Sequence, residues 1–86
     1  MDDIRVLIVD DSSMMRNLIG KIVDATEGLT VADKAMNGRF ALQKLDRVDP
    51  DAIVLDIEMP EMNGLEFLKE LKTRGIKIPT IVLSSL

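Results

Sequence analysis

Two hydrophobic periods alternate along the chain. From Ile4 to Val9 the sequence is almost continuously apolar and rich in β-branched residues, the pattern of a strand buried on both faces. Asp11, Ser12 and Ser13 then offer side-chain acceptors for the first free amides of a helix. Met14, Met15, Leu18, Ile19, Ile22 and Val23 follow at helical spacing as one apolar stripe. Asp11 is expected to share in capping this helix, and Glu27-Gly28 to close it. Leu29 to Lys34, with its Leu-Thr-Val-Ala, predicts a shorter and weaker strand. Asn37-Gly38 caps a second helix, on which Ala41, Leu45 and Val48 fall at i, i+4 and i+7. The turn Asp49-Pro50-Asp51 leads into Ala52-Ile53-Val54-Leu55, another apolar strand. Asp56 to Asn63 carries Pro60 and three acids and reads as a loop. A third helix runs from about Gly64, carrying Leu65, Leu68, Leu71 and Lys72, to Gly75, a residue suited to the position just past a helix end. Ile78 to Leu83 predicts the last strand, with Pro79 near its beginning because proline has no amide to give a ladder.

Strands and helices alternating at this spacing predict right-handed βαβ units, hence an α/β fold with a parallel sheet covered on both faces. No repeat, linker or low-complexity stretch interrupts residues 1–86, which read as one domain. Ile81-Val82-Leu83-Ser84-Ser85-Leu86 is a core-type strand with no helix behind it, so the sequence is expected to be a fragment of a longer protein. The fourth strand would then be a flat, β-branched edge. Residues 78–86 are expected to support pairing or domain exchange in a homodimer, or else to leave the chain marginally stable.

Composition narrows the chemistry. The chain is 47% hydrophobic and 30% charged, a globular balance, and its 11 basic and 15 acidic residues give a net charge of −4. Without a basic run, neither nucleic acid nor an anionic membrane surface is expected as a direct partner. No apolar stretch approaches the roughly 20 residues of a membrane span, and the acidic start Met1-Asp2-Asp3 is unlike a signal peptide. A cytoplasmic location is the expectation. With no Cys and no His, thiolate nucleophiles, zinc-thiolate sites and the commonest general base are all missing. Chemistry here must use carboxylates, hydroxyls, lysines, or a hard metal held by oxygen.

The carboxylates are not scattered evenly. In open parallel sheets functional groups collect beyond the C-terminal ends of the strands. The first strand ends in Asp10-Asp11, the third in Asp56 with Glu58 two residues on, and the fourth in Ser84-Ser85; Asp33-Lys34-Ala35 after the second is a weaker signal. If the first and third strands are neighbours, Asp10, Asp11 and Asp56 meet, and three carboxylates that close repel one another. A divalent, oxygen-seeking cation relieves the conflict, and Mg2+ suits two carboxylates, a carbonyl and several waters. Such an ion would also neutralise a phosphoryl group arriving at Asp56. The plainer alternative is that an Asp after a strand merely caps a helix or makes a turn.

Val6-Leu7-Ile8-Val9-Asp10-Asp11-Ser12 resembles the first strand and acidic pair of the response-regulator receiver domains. Leu55-Asp56-Ile57-Glu58-Met59-Pro60-Glu61-Met62-Asn63-Gly64 resembles their phosphoacceptor loop, and Ile81-Val82-Leu83-Ser84 their fourth strand with its terminal hydroxyl. The resemblance implies a flavodoxin-like sheet of order 2-1-3-4. It implies Asp56 as acceptor of a phosphoryl group from a phosphohistidine on a histidine kinase acting in trans. It implies Asp10 and Asp11 holding Mg2+, directly or through water, with Asp56 and the Glu58 backbone carbonyl as further ligands and the Glu58 side chain tuning hydrolysis. Ser84 would contact a phosphoryl oxygen and move toward it, which is the switch. The family's invariant lysine at the end of a fifth strand has no counterpart among Lys21, Lys34, Lys44, Lys69, Lys72 and Lys77. The fourth helix, fifth strand and fifth helix have none either. More narrowly, Met62-Asn63-Gly64-Leu65-Glu66-Phe67-Leu68 and Ser84-Ser85-Leu86 resemble the receiver half of chemotaxis methylesterases, which implies an esterase domain downstream.

Two alternatives use the same residues. A haloacid-dehalogenase-type phosphatase also has a strand-end Asp nucleophile, a second acid two residues on, Mg2+ and a strand-end hydroxyl. That family, however, places its nucleophile after the first strand, where this chain has an adjacent acidic pair. A non-signalling interaction fragment would use its acids only as caps.

Overall fold

Val6, Leu7, Ile8 and Val9 are all buried, as a strand enclosed on both faces requires. The computed structural model describes residues 2–59 and 62–83. Along the chain they form β1 (Ile4–Val9), α1 (Ser13–Ala25), β2 (Leu29–Ala35), α2 (Gly38–Val48), β3 (Ala52–Asp56), α3 (Gly64–Thr73) and β4 (Thr80–Leu83). The four strands pair in parallel in the order β2-β1-β3-β4, the expected α/β receiver arrangement. Alternation of side chains along β1 divides the interior. Leu7 and Val9 face a core built with α2 and α3, through Ala41, Leu42, Leu45, Phe67 and Leu71. Val6 and Ile8 face a smaller core closed by Ile19 and Val23 of α1.

Several elements differ from the expectation for identifiable reasons. The cap of α1 is Ser12, whose hydroxyl accepts from the Met15 amide at 3.2 Å; Asp11 does not fill that role. The same helix ends at Ala25, before Glu27-Gly28, because Thr26 turns to extended backbone and its hydroxyl bonds back to the Ile22 carbonyl. Gly28 instead takes φ +88° in the turn to β2, and its carbonyl accepts from the Ile4 amide. The apolar stripe of α1 proves to be two rows. Ile19 and Val23 reach the sheet, while Met14, Leu18 and Ile22, one row round the helix, stay exposed. On α3 the core contact is Phe67, wholly buried, together with Leu71; Leu65 is exposed.

β2 is not the shorter strand: it has seven residues against six in β1. A bulge between Val6 and Leu7 shifts its register so that Leu7 lies opposite Asp33. Asp33 therefore lies within the strand, where it pairs with Lys44 at 3.4 Å; Lys44 also donates to the Lys34 carbonyl and so covers part of this free sheet edge. At the other side of the sheet, β4 begins at Thr80, and Pro79 contributes only its carbonyl, which accepts from the Ile53 amide at 2.9 Å. Ile81, Val82 and Leu83 are exposed.

Candidate functional site

Register brings the acids together. Val9 pairs with Leu55, so the next residue in each chain segment, Asp10 and Asp56, leaves the sheet at the same edge. Asp56 is itself the last residue of β3 and pairs with Leu83 of β4. One carboxylate oxygen from each of Asp10, Asp11 and Asp56 lies within 4.8 Å of the other two. They open into a cleft of about 430 Å³, shared with Ser12, Glu58 and Leu83.

Each acid is held differently. Asp10 is buried, at 5% exposure; its amide donates to the Ala35 carbonyl at 3.1 Å, and its Oδ1 accepts from the Ser12 amide at 2.9 Å. Asp11 is exposed at the mouth of the cleft. Asp56 is half-buried, and its Oδ1 accepts from the Glu58 amide at 3.2 Å. Burial pushes the Asp56 carboxyl above its usual range, and the neighbouring Asp10, Asp11 and Glu58 carboxylates add to the rise; the Glu58 amide partly offsets it.

The loop after Asp56 is closed by its own backbone. The Gly64 amide donates to the Ile57 carbonyl at 3.0 Å, and a Cβ on Gly64 would lie 2.7 Å from the Ile57 Cα, so only glycine lets α3 start this close to the acid. Asn63 and Glu66 form a reciprocal capping box, with contacts of 3.0 and 3.3 Å, that fixes where α3 begins.

A bare cluster of three carboxylates is electrostatically unfavourable, and a divalent cation is the group that fits it. The donors are hard oxygens, their separation is within reach of one ion, and the charge that Asp56 resists carrying is the charge a cation would neutralise. Mg2+ meets these conditions. Of the residues expected at the site, Asp10, Asp11 and Asp56 are gathered and Glu58 borders the cleft, while Ser84 lies outside the described residues. Asp33 is not part of it. Arg16, which the sequence pattern did not single out, donates from Nη1 to the Asp10 carbonyl at 2.7 Å. A larger hollow of about 540 Å³, beside Leu71, Ile76 and Ile78 at the far end of β4, has no carboxylate in its lining.

The model of the response regulator receiver domain matches residues 6–86. The chain belongs to this family. It is 78% identical over 86 residues to a protein-glutamate methylesterase/protein-glutamine glutaminase of Treponema denticola, covering 100% of this chain and 23% of that protein. The corresponding protein of Treponema pallidum is 60% identical over 85 residues, which are 99% of this chain and 21% of the relative. The chain thus spans less than a quarter of the length of these curated relatives. Among solved structures, the response regulator domain of Thermotoga maritima CheB superposes with a TM-score of 0.89 at 40% identity, over 98% of this chain and 62% of that one. The chain is a response regulator receiver domain similar to that of CheB, with its acidic cluster at the expected strand ends. The haloacid-dehalogenase alternative is not the family found.

Proposed function

We propose that the protein is the phosphoacceptor module of a chemotaxis-like two-component system, and that Asp56 receives a phosphoryl group from a phosphohistidine of a histidine kinase. The observation that carries this reading is the meeting of Asp10, Asp11 and Asp56 within 4.8 Å at one sheet edge. An Asp56 carboxylate oxygen attacks phosphorus as the phosphorus–nitrogen bond to the donor imidazole breaks; with the other ring nitrogen protonated, the electron pair left on the departing nitrogen gives a neutral histidine on the kinase and an aspartyl phosphate on this chain. Asp10, Asp11 and Asp56 would hold Mg2+, with the Glu58 backbone carbonyl as a further ligand. An ion held there would supply positive charge against the incoming phosphoryl oxygens. Burial of Asp10 and its bond from the Ser12 amide keep this acid in place before an ion arrives. The Ser84 hydroxyl is assigned the phosphoryl contact and the switch on the family pattern alone.

The names of the relatives extend the reading: the domain regulates a protein-glutamate methylesterase in the cytoplasm, with the kinase as its partner in trans. Among the described residues no helix is long and apolar enough to cross a membrane.

The test is incubation with a small phosphodonor such as acetyl phosphate and Mg2+, followed by intact mass measurement. One phosphoryl group per chain, labile to hydroxylamine and absent from Asp56→Asn, is the expected result. Labelling that survives in Asp56→Asn would place the acceptor elsewhere. Repeated turnover of a generic phosphate ester would favour a phosphatase.

A further inference from the structure

Arg16 lies in the first turn of α1 and holds the segment that presents the acidic pair at both ends. Its backbone amide donates to the Ser12 carbonyl at 2.9 Å, while its guanidinium Nη1 reaches back to the Asp10 carbonyl at 2.7 Å. Residues 10–12 are thus spanned by two donors from one side chain and its own backbone. Within that span Asp10 is also fixed through its amide to Ala35 and through its Oδ1 to the Ser12 amide. Asp11 is exposed, and the path of this segment carries it relative to Asp10. The Arg16 side chain is half-buried, so its bond to the carbonyl is partly shielded from competing water.

We propose that Arg16 is a positioning residue: its hydrogen bond to the Asp10 carbonyl sets the spacing of the Asp10 and Asp11 carboxylates and thereby favours a small divalent ion over a large one. The inference rests on the metal-binding reading above and goes beyond it by assigning the site's ion selectivity to a residue that need not touch the ion. Mg2+ demands nearly ideal octahedral geometry at about 2.0–2.1 Å, whereas Ca2+ accepts irregular geometry at about 2.3–2.6 Å. An acidic pair free to shift therefore penalises Mg2+ more than Ca2+. Removing the arginine also removes a positive charge near the site, which strengthens binding of either ion. Because both ions carry the same charge, that effect cancels in the ratio of their affinities, and the ratio reports geometry alone.

The experiment is to titrate the unaltered protein, Arg16→Met and Arg16→Lys with Mg2+ and separately with Ca2+, following the amide resonances of residues 10, 11 and 56. Arg16→Met is expected to lower the Mg2+/Ca2+ affinity ratio by about threefold to tenfold, at or below the lower end of what outer partners of metal ligands contribute. Arg16→Lys keeps a donor and should lose less. Should Arg16→Met fail to fold, Arg16→Leu, which also lacks a donor, reads the same ratio. An unchanged ratio in Arg16→Met overturns the proposal. Equal losses in the Lys and Met variants overturn it too, because they trace the effect to packing and not to the donated bond. If the unaltered protein binds neither ion, the metal-binding reading itself fails and this inference falls with it.

Discussion

Asp10 and Asp56 stand at the same sheet edge because Val9 and Leu55, the residues before them, are paired in the β1–β3 ladder. The pairing is held from both faces: Val9 and Leu55 are buried with Phe67 in the larger core, and Ile8 and Val54 belong to the smaller one. A slip of one residue would turn each apolar side chain to the opposite face, so the energetics of the core maintain the geometry of the acids.

Loss of a single carboxylate should therefore be felt directly in metal binding. Asp11→Asn and Asp56→Asn are each expected to weaken Mg2+ binding by about tenfold or more, since a neutral amide replaces a charged oxygen donor. Titration calorimetry checks this, and affinities equal to that of the unaltered protein would reduce these acids to caps.

In metal-free protein, ionised Asp56 is a cost to the fold. Its folded pKa is raised, so near its titration the folded chain binds more protons than the unfolded one, and stability falls as pH rises. The favourable contribution is complete below the ordinary Asp value of about 3.9 and is lost as pH climbs through the raised one. With a chelator present, Asp56→Asn should gain stability over the unaltered protein as pH rises through that window. The gain should grow with pH and level off once Asp56 of the unaltered protein is fully ionised. Thermal melts at a series of pH values measure the difference, and added Mg2+ should shrink it.

Gly64→Ala tests the closeness of α3 to the acid. A new Cβ would lie 2.7 Å from the Ile57 Cα and 3.0 Å from the Asp56 carbonyl, both backbone atoms that cannot swing away. A loss of about 1–3 kcal/mol is expected from overpacking, and denaturant titration would show it.

Phe67→Ala should destabilise by about 3–5 kcal/mol, the usual cost of emptying an aromatic site in a core. Phe67 is the largest wholly buried side chain, on the face that also holds Leu7, Ile53 and Leu55. In a domain this small, that loss should leave much of the protein unfolded at ambient temperature, as circular dichroism would record.

Association is expected through the apolar surface left uncovered. Ile81 is 62% exposed on β4, and Met14 and Ile22 are 75% and 59% exposed on α1. Sedimentation velocity across a concentration series should show the 86-residue chain forming dimers or larger species. A single compact monomer throughout would contradict this, and Ile81→Asp should reduce the association.

Caps and breakers were legible in the sequence because their causes are local. Asn37 caps α2 by accepting from the Phe40 amide at 2.9 Å, and Gly75, with φ +70°, follows the end of α3, both where the residue types require. The apolar run of β1 likewise had one reading. The choice between Asp11 and Ser12 as cap was not legible, since both can accept from a free amide and only the path of the turn decides which one does. Nor was the choice of Phe67 over Leu65 on α3, because both fit a helical stripe and the position of the sheet selects the row that is buried. The half-covered face of α1 follows the same rule.

The order of apolar and polar residues, read alone, determined seven elements and the acids at the ends of two strands, because helix and strand periods and capping act over a few neighbouring residues. Which strand lies beside which was decided by tertiary structure. Only the pairing of β1 with β3 brings Asp10 and Asp11 to Asp56, only the packing of α1 brings Arg16 back to the Asp10 carbonyl, and only burial among neighbouring charges raises the Asp56 carboxyl. Contacts between residues more than forty positions apart depend on the shared core that forces the segments together.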